Sequence, residues 1–142
     1  MRDALLGALV ETLETATFWS RLPRLYAAVV GALRDSLTAQ GTPPVVLCHV
    51  SHVYPAGASL YFTVVSAQAE DAVAQWRTAK AAASDAILDA GGSITHDHGV
   101  GTDHRKWYER EVGALAIDAL RAVKATLDPA GIMNPGVLVP RA

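Results

Sequence analysis

The sequence predicts an α+β domain: a small antiparallel sheet with helices packed on one side, ferredoxin-like in its βαββα core and followed by C-terminal helices. Two strand-like runs joined by a short turn indicate a hairpin, and long runs with apolar residues at helical spacing precede and follow it. The length of 142 residues is typical of one domain, so residues 1–142 are expected to form a single domain.

A strand and a helix are predicted before the hairpin. Partial alternation over residues 10–16 indicates the strand. Ser20 is a candidate N-cap, Pro23 lies in the first turn, and the helix is expected to run to about Thr38. Its apolar stripe consists of Leu22, Tyr26, Val29, Val30, Leu33 and Leu37.

The predicted hairpin covers residues 45–53 and 59–66, and its turn, residues 54–57, contains a proline and a glycine. Because side chains alternate along a strand, the second strand has an apolar face and a polar face. The apolar face carries Leu60, Phe62 and Val64, and the polar face carries Ser59, Tyr61 and Thr63.

Two further helical stretches, residues 70–90 and 105–127, are separated by a polar loop. Gly91 and Gly92 end the first stretch, and Gly113 is a candidate break in the second. The two apolar stripes consist of Val73, Trp76, Ala79, Ala83, Ile87 and Ala90, and of Val112, Leu115, Ala119, Val123 and Leu127.

Charge and cysteine content narrow the class of protein. A net charge of -2 provides no positive field that would attract nucleic acid, so no nucleic-acid partner is expected. No apolar stretch reaches the ~20 residues of a transmembrane segment. The single Cys48 allows no internal disulfide and fits a reducing compartment. A cytoplasmic location is therefore expected.

The loop His96-Asp97-His98 is the first candidate for chemistry, and Gly99 and Gly101 follow it. A histidine exchanges protons near neutral pH, a neighbouring carboxylate can fix its tautomer, and glycines let a ligand approach the backbone closely. A solvated polar loop without catalytic function is the alternative. Tyr61 is the second candidate, as an acid, a base or a hydrogen-bond donor; the alternative is an amphipathic tyrosine whose hydroxyl lies at the surface.

A metal site is the third possibility, because His49, His52, His96 and His98 supply enough imidazoles for zinc and Asp97 could add an oxygen. However, His49 and His52 are three residues apart along a strand and should face opposite sides of the sheet. No metal ligands are therefore assigned.

Two motifs resemble those of the FAD-linked oxidase C-terminal domain, which belongs to the vanillyl-alcohol oxidase superfamily. Residues 91–101, Gly-Gly-Ser-Ile-Thr-His-Asp-His-Gly-Val-Gly, resemble its Gly-Gly-x-[Ile/Leu]-[Ser/Thr]-x-[Glu/His]-His-Gly-[Ile/Val]-Gly motif. Residues 127–136 are similar to its terminal Leu-Asp-Pro-x-Gly-Ile-x-Asn-Pro-Gly motif. Within the family, residues 14–20 and 48–62 look like segments of the alkyl-dihydroxyacetonephosphate synthases.

The resemblance implies an FAD enzyme that exchanges the acyl group of acyl-dihydroxyacetone phosphate for a fatty alcohol, an ether-lipid reaction without net redox change. It implies Tyr61 as the acid–base phenol, with His96 and His98 beside the flavin and the substrate. It further implies a substrate contact at His52 and cofactor contacts at Asp97, Gly99, Gly101 and Asn134. The expected substrate is a small lipid phosphate or a hydroxy acid.

Departures from the family pattern keep a second reaction open. Asp97 stands where the synthases have a histidine and the family's 2-hydroxy-acid oxidases have a glutamate. Those oxidases bind a metal with two hairpin histidines, and Tyr61 stands where the second of them should be. Dehydrogenation of a lactate- or glycolate-type 2-hydroxy acid is therefore the alternative activity, and a non-catalytic fragment that associates with itself or a partner is the third hypothesis.

The family binds FAD chiefly through an upstream glycine-rich domain, and nothing in this sequence resembles that domain. The chain is therefore expected to be the C-terminal cap of a longer enzyme, a truncated product or half of a split enzyme. A partner with an FAD-binding domain or a homodimer is expected, and the chain alone is expected to have no turnover.

Overall fold

In a computed structural model of the protein, residues 7–139 are described, and they divide into two compact units. The first unit ends at His96 and the second begins at Asp97. The first unit contains β1 (Ala8–Phe18), a short 3₁₀ turn (Trp19–Arg21), α1 (Leu22–Ala39), β2 (Val45–Val53), β3 (Gly57–Ala67) and α2 (Ala72–Asp89). The second unit contains α3 (Arg105–Val112) and α4 (Ala114–Leu127).

The sheet of the first unit has the strand order β1-β3-β2, and both pairs of neighbours are antiparallel. Phe62 at its centre lies opposite Leu13 on β1 and Cys48 on β2. Because side chains alternate along each strand, one face of the sheet is apolar and packs against α1 and α2. This arrangement confirms the α+β prediction with helices on one side of the sheet.

Helix α1 packs on the sheet through a stripe that differs in part from the predicted one. Ser20 is not its N-cap: it lies in the 3₁₀ turn, and Arg21 at the cap position makes no side-chain capping bond. Leu25 is fully buried, whereas Tyr26 is half exposed and stacks on Phe62. The reason is the spacing: Leu25 lies four residues before Val29 and eight before Leu33, which puts it on the buried stripe. The buried residues are Leu25, Val29, Val30, Leu33 and Leu37.

Helix α2 begins at a side-chain cap that periodicity did not reveal, because Asp71 accepts a hydrogen bond from the backbone N–H of Ala74. The buried Gln75 side chain donates to the hydroxyl of Thr42, which ties the helix to the loop before β2. Ala79, Ala83, Ile87 and Ala90 of the predicted stripe are buried, but Val73 is exposed because it lies in the first turn.

The second unit breaks at Gly113, which has a φ of +82° and separates α3 from α4. The stripe predicted for this region is wrong: Leu115 and Leu127 are exposed, and Ile117 is the buried residue of α4. Helical periodicity identifies an apolar face but does not tell whether anything covers it.

The tail after α4 is held by Asp128, whose carboxylate accepts hydrogen bonds from the backbone N–H groups of Ile132 and Met133. The ammonium of Lys124 donates to the same carboxylate, and this hydrogen bond is the main reason that the pKa of Asp128 is lowered. Among residues 7–139, no helix combines the length and the apolar character needed to cross a membrane.

Two glycines of the first unit provide opposite tests of the fold. A Cβ at Gly57 would lie 2.1 Å from the carbonyl oxygen of Thr17 on the neighbouring strand, whereas a Cβ at Gly31 in α1 would meet nothing within 4 Å. Gly57→Ala should lower the free energy of unfolding by more than about 1 kcal/mol, because the strands must separate. Gly31→Ala should raise it by about 0.5–1 kcal/mol, because alanine is the better helix former. Urea unfolding of both variants checks the pair; equal effects would contradict the β1–β3 register.

Candidate functional site

A buried carboxylate lies at the centre of the candidate site. Glu14 on β1 is directly opposite Tyr61 on β3, and Tyr61 is directly opposite His49 on β2. Direct partners in an antiparallel sheet share a face, so these three side chains lie on the face away from the helices. Glu14 is only 5% exposed although it is acidic, and such a group requires hydrogen-bond partners.

Two serine hydroxyls supply part of this compensation. Ser51 on β2 and Ser59 on β3 both donate to Oε1 of Glu14, and the Ser59 bond is 2.8 Å long. The Ser59 hydroxyl oxygen in turn accepts the backbone N–H of His52 at 3.0 Å. Ser59 is fully buried, although it lies on the face that the sequence predicted to be polar. Its two hydrogen bonds link β3 to both neighbouring strands.

A bulge in β2 brings His52 into the same site. The register between β2 and β3 shifts between Val50 and Val53, which breaks the simple alternation of side chains. As a result Nδ1 of His52 lies 3.4 Å from Oε1 of Glu14. The prediction that His49 and His52 face opposite sides of the sheet is therefore wrong, because it assumed an unbroken strand.

The loop after α2 brings His96 to the same carboxylate. The Thr15 hydroxyl donates to the carbonyl of Ser93 at 2.6 Å, and the N–H of Ser93 donates to the carbonyl of Ala16 at 2.9 Å. These bonds fasten the loop to β1 beside Glu14. Nδ1 of His96 lies 3.4 Å from Oε1 of Glu14, and the rings of His52 and His96 are 4.9 Å apart.

A second tyrosine completes the cluster. The hydroxyl of Tyr54, in the hairpin turn, is 3.0 Å from Nε2 of His96. The indole N–H of Trp19 donates to the carbonyl of Tyr54 at 3.1 Å and holds the turn in place. Sequence reasoning did not single out Tyr54 or Glu14 as site residues. The sequence offers only a weak signal for Glu14, because β1 carries a second glutamate, Glu11, and no local pattern tells which of the two is buried.

The electrostatics of the cluster favour an ionised Glu14. Burial by itself would raise the pKa of this carboxyl group, but hydrogen bonds from Ser51, Ser59 and His52 and the electrostatic effect of His96 act in the opposite direction. The net result is that the pKa of Glu14 is lowered.

The same cluster contains a set of donors suitable for a metal. One ligand atom each from Glu14, His52 and His96 lies within 4.8 Å of the others, and two imidazoles with a carboxylate are typical zinc ligands. The sequence analysis assigned no metal ligands, and that assignment remains a prediction.

The second unit carries the other predicted site residues. Asp97, Gly99 and Gly101 have φ values of +56°, +71° and +61°, so every second residue from 97 to 101 is left-handed. His98 in this loop is exposed, and Asn134 in the tail has a φ of +43°.

The geometry of this loop bears on whether its residues fit a flavin. A Cβ at Gly99 would meet nothing within 4 Å, so the backbone is open to a planar group such as a flavin ring. The sequence has no glycine-rich phosphate loop that would bind the dinucleotide. The open backbone at Gly99 therefore fits contact with part of a flavin.

Comparisons with known proteins agree with these features. The profile of the family described as "FAD linked oxidases, C-terminal domain" matches residues 1–138. The chain is 36% identical to alkyldihydroxyacetonephosphate synthase of Dictyostelium discoideum over 99% of its own length and 23% of the relative's. A solved structure of an alkyldihydroxyacetonephosphate synthase superposes with a TM-score of 0.62 and 32% identity, and covers 94% of this chain and 22% of that one. Mitochondrial cytochrome D-lactate dehydrogenase of Arabidopsis thaliana is 47% identical over 37% of this chain and 9% of its own.

The lowered pKa of Glu14 predicts how stability depends on pH. A carboxyl group with a lowered pKa in the folded state contributes stability above its unfolded pKa, and this contribution is lost as the pH falls through the folded pKa. Glu14→Gln should therefore be less stable than the wild type at neutral pH, and the difference should shrink below the ordinary value of 4.5.

Thermal unfolding between about pH 3 and pH 7 measures this difference. Glu11→Gln on the same strand is the matched control, for which we expect little dependence of the difference on pH. A constant gap between the wild type and Glu14→Gln over the whole range would contradict an ionised, hydrogen-bonded Glu14.

Proposed function

The chain belongs to the family of FAD-linked oxidase C-terminal domains, and on that premise we propose that it is the catalytic cap of an enzyme that exchanges the acyl group of an acyl-dihydroxyacetone phosphate for a fatty alcohol. The chain spans less than a quarter of the length of the synthases it matches. The rest of such an enzyme would bind FAD, and the chain alone would have no turnover.

The observation that carries the proposal is the convergence of acid–base groups on one face of the sheet. Glu14 is in contact with His52 and His96 and lies directly opposite Tyr61. An exchange of one oxygen substituent for another requires protons to be removed from the entering alcohol and delivered to the leaving acid. Phenol and imidazole groups perform such transfers near neutral pH.

Each residue has a role in this proposal. Tyr61 transfers the proton at the reacting carbon, and His96 and His98 hold the proton of the alcohol or the acid. His52, whose side chain is half exposed, binds a polar group of the substrate. Asp97, Gly99, Gly101 and Asn134 contact the cofactor. Bound FAD would supply reversible acceptance of an electron pair.

Dehydrogenation of a 2-hydroxy acid is the second candidate. It is favoured by the similarity to cytochrome D-lactate dehydrogenase and by the three metal-type donors of Glu14, His52 and His96. A Lewis acid at that place would polarise the hydroxyl of the acid. Requirement for a divalent metal and reduction of a dye acceptor separate this reaction from the exchange, which needs neither. A cytoplasmic location is proposed for either enzyme.

Titration of the purified chain with FAD tests whether it is only a cap. We expect no tight binding by calorimetry and no flavin absorbance in the protein as purified, because no phosphate-binding loop is present. Stoichiometric binding with a yellow spectrum would contradict this assignment, and turnover by the isolated chain would contradict its inactivity.

A chimera tests the reaction. In the Dictyostelium synthase, the matching C-terminal segment is replaced by this chain, and incorporation of labelled fatty alcohol into ether lipid is measured. We expect turnover, and a decrease of about 10²–10⁴-fold for Tyr61→Phe and for His98→Ala, as is usual for loss of an acid–base group.

Tyr26→Phe is the matched control for the loss of a phenol, since Tyr26 lies on α1 and stacks on the core. A folded, FAD-loaded chimera that oxidises a 2-hydroxy acid and incorporates no alcohol would support the second candidate instead. Full activity of Tyr61→Phe would remove Tyr61 from the mechanism.

A further inference from the structure

The two ring nitrogens of His96 face different groups. Nδ1 lies 3.4 Å from Oε1 of Glu14, and Nε2 lies 3.0 Å from the hydroxyl of Tyr54. This separation is an ion-pair distance, and because an ionised carboxylate can only accept hydrogen bonds, it favours a proton on Nδ1. In the neutral ring Nε2 is then the acceptor, and the Tyr54 hydroxyl donates to it.

The buried position of Glu14 supports this arrangement. Its carboxylate is 5% exposed and accepts the hydroxyls of Ser51 and Ser59, so it is fixed in place and bulk water does not replace the imidazole. Tyr54, by contrast, is 44% exposed and presents its ring at the edge of the cluster. The chain of contacts thus runs from a fixed buried anion, through an imidazole, to a phenol that substrate can reach.

We propose that Glu14 is a positioning residue that acts through His96, and that Tyr54 is a further acid–base group of the site. This inference rests on the proposed function and adds to it two residues that neither the motifs nor the resemblance assigns. The arrangement resembles a carboxylate–histidine–hydroxyl triad, in which the carboxylate fixes the tautomer of the histidine ring and stabilises its imidazolium form.

The proton transfer balances without a further reactant. A substrate hydroxyl gives its proton to the Tyr54 oxygen while the Tyr54 proton moves to Nε2 of His96. One O–H bond and one N–H bond form as two O–H bonds break. The ring becomes an imidazolium whose Nδ1–H stays directed at Glu14, and Glu14 remains a carboxylate. Reversal of the same transfer returns the proton to the leaving group.

The test is nitrogen-15 NMR of the histidine side chains in the 142-residue chain without flavin or substrate, with His96 assigned by its absence in His96→Gln. We expect His96 as the Nδ1–H tautomer in the wild type. Glu14→Gln should lose this tautomer, Glu14→Asp should retain it because the charge is kept, and Glu11→Gln should leave it unchanged. A merely structural role of Glu14 would move none of these resonances in a folded variant.

Tyr54→Phe keeps the ring contacts and removes only the hydroxyl, so the Nε2 resonance of His96 should shift while that of His52 should not. If Glu14→Gln does not fold, Tyr54→Phe still tests whether the Tyr54 hydroxyl donates to Nε2 of His96. An Nε2–H tautomer in the wild type, or an Nε2 resonance unchanged in Tyr54→Phe, would overturn the proposal. Because no turnover is measured, these outcomes are distinct from failure of the exchange reaction.

Discussion

The structure of the site depends on the need to compensate one buried charge. Glu14 is buried in the sheet, and the burial of a carboxylate without hydrogen-bond partners would be strongly unfavourable. The two serine hydroxyls, His52 and His96 provide the compensation, and they come from three separate parts of the chain. The hairpin and the loop after α2 are therefore held in a common place by the group that the proposed chemistry also uses.

The local fold is arranged to permit this compensation. The β-bulge near the end of β2 turns His52 toward the carboxylate, and Thr15 together with Ala16 fastens the loop that carries His96. At Gly92 a Cβ would lie 2.8 Å from side-chain atoms of both Thr15 and Leu25. The Gly-Gly pair thus ends α2 and also lets the loop approach the sheet closely.

The site divides into a rigid interior and an accessible edge. Glu14 and Ser59 are buried, while Tyr54 and His52 are exposed where a substrate or a neighbouring domain can meet them. This division suits a cap whose cofactor is bound elsewhere, because the cap must keep its geometry before the complete active site assembles. In the second unit, the loop from Asp97 to Gly101 has left-handed residues at every second position, and its backbone is open at Gly99.

The sequence by itself determined the strands, the helices, the hairpin and the family, because periodicity, turn residues and motifs are local properties of the chain. It also named Tyr61, His96 and His98 as candidates for the site. Tertiary structure decided the rest. Only strand register shows that Glu14 faces Tyr61, only the bulge brings His52 to that face, and only the docked loop places His96 between Glu14 and Tyr54. These contacts join residues that are far apart in sequence. They form because a buried charge needs hydrogen-bond partners, and no local sequence pattern reveals that need.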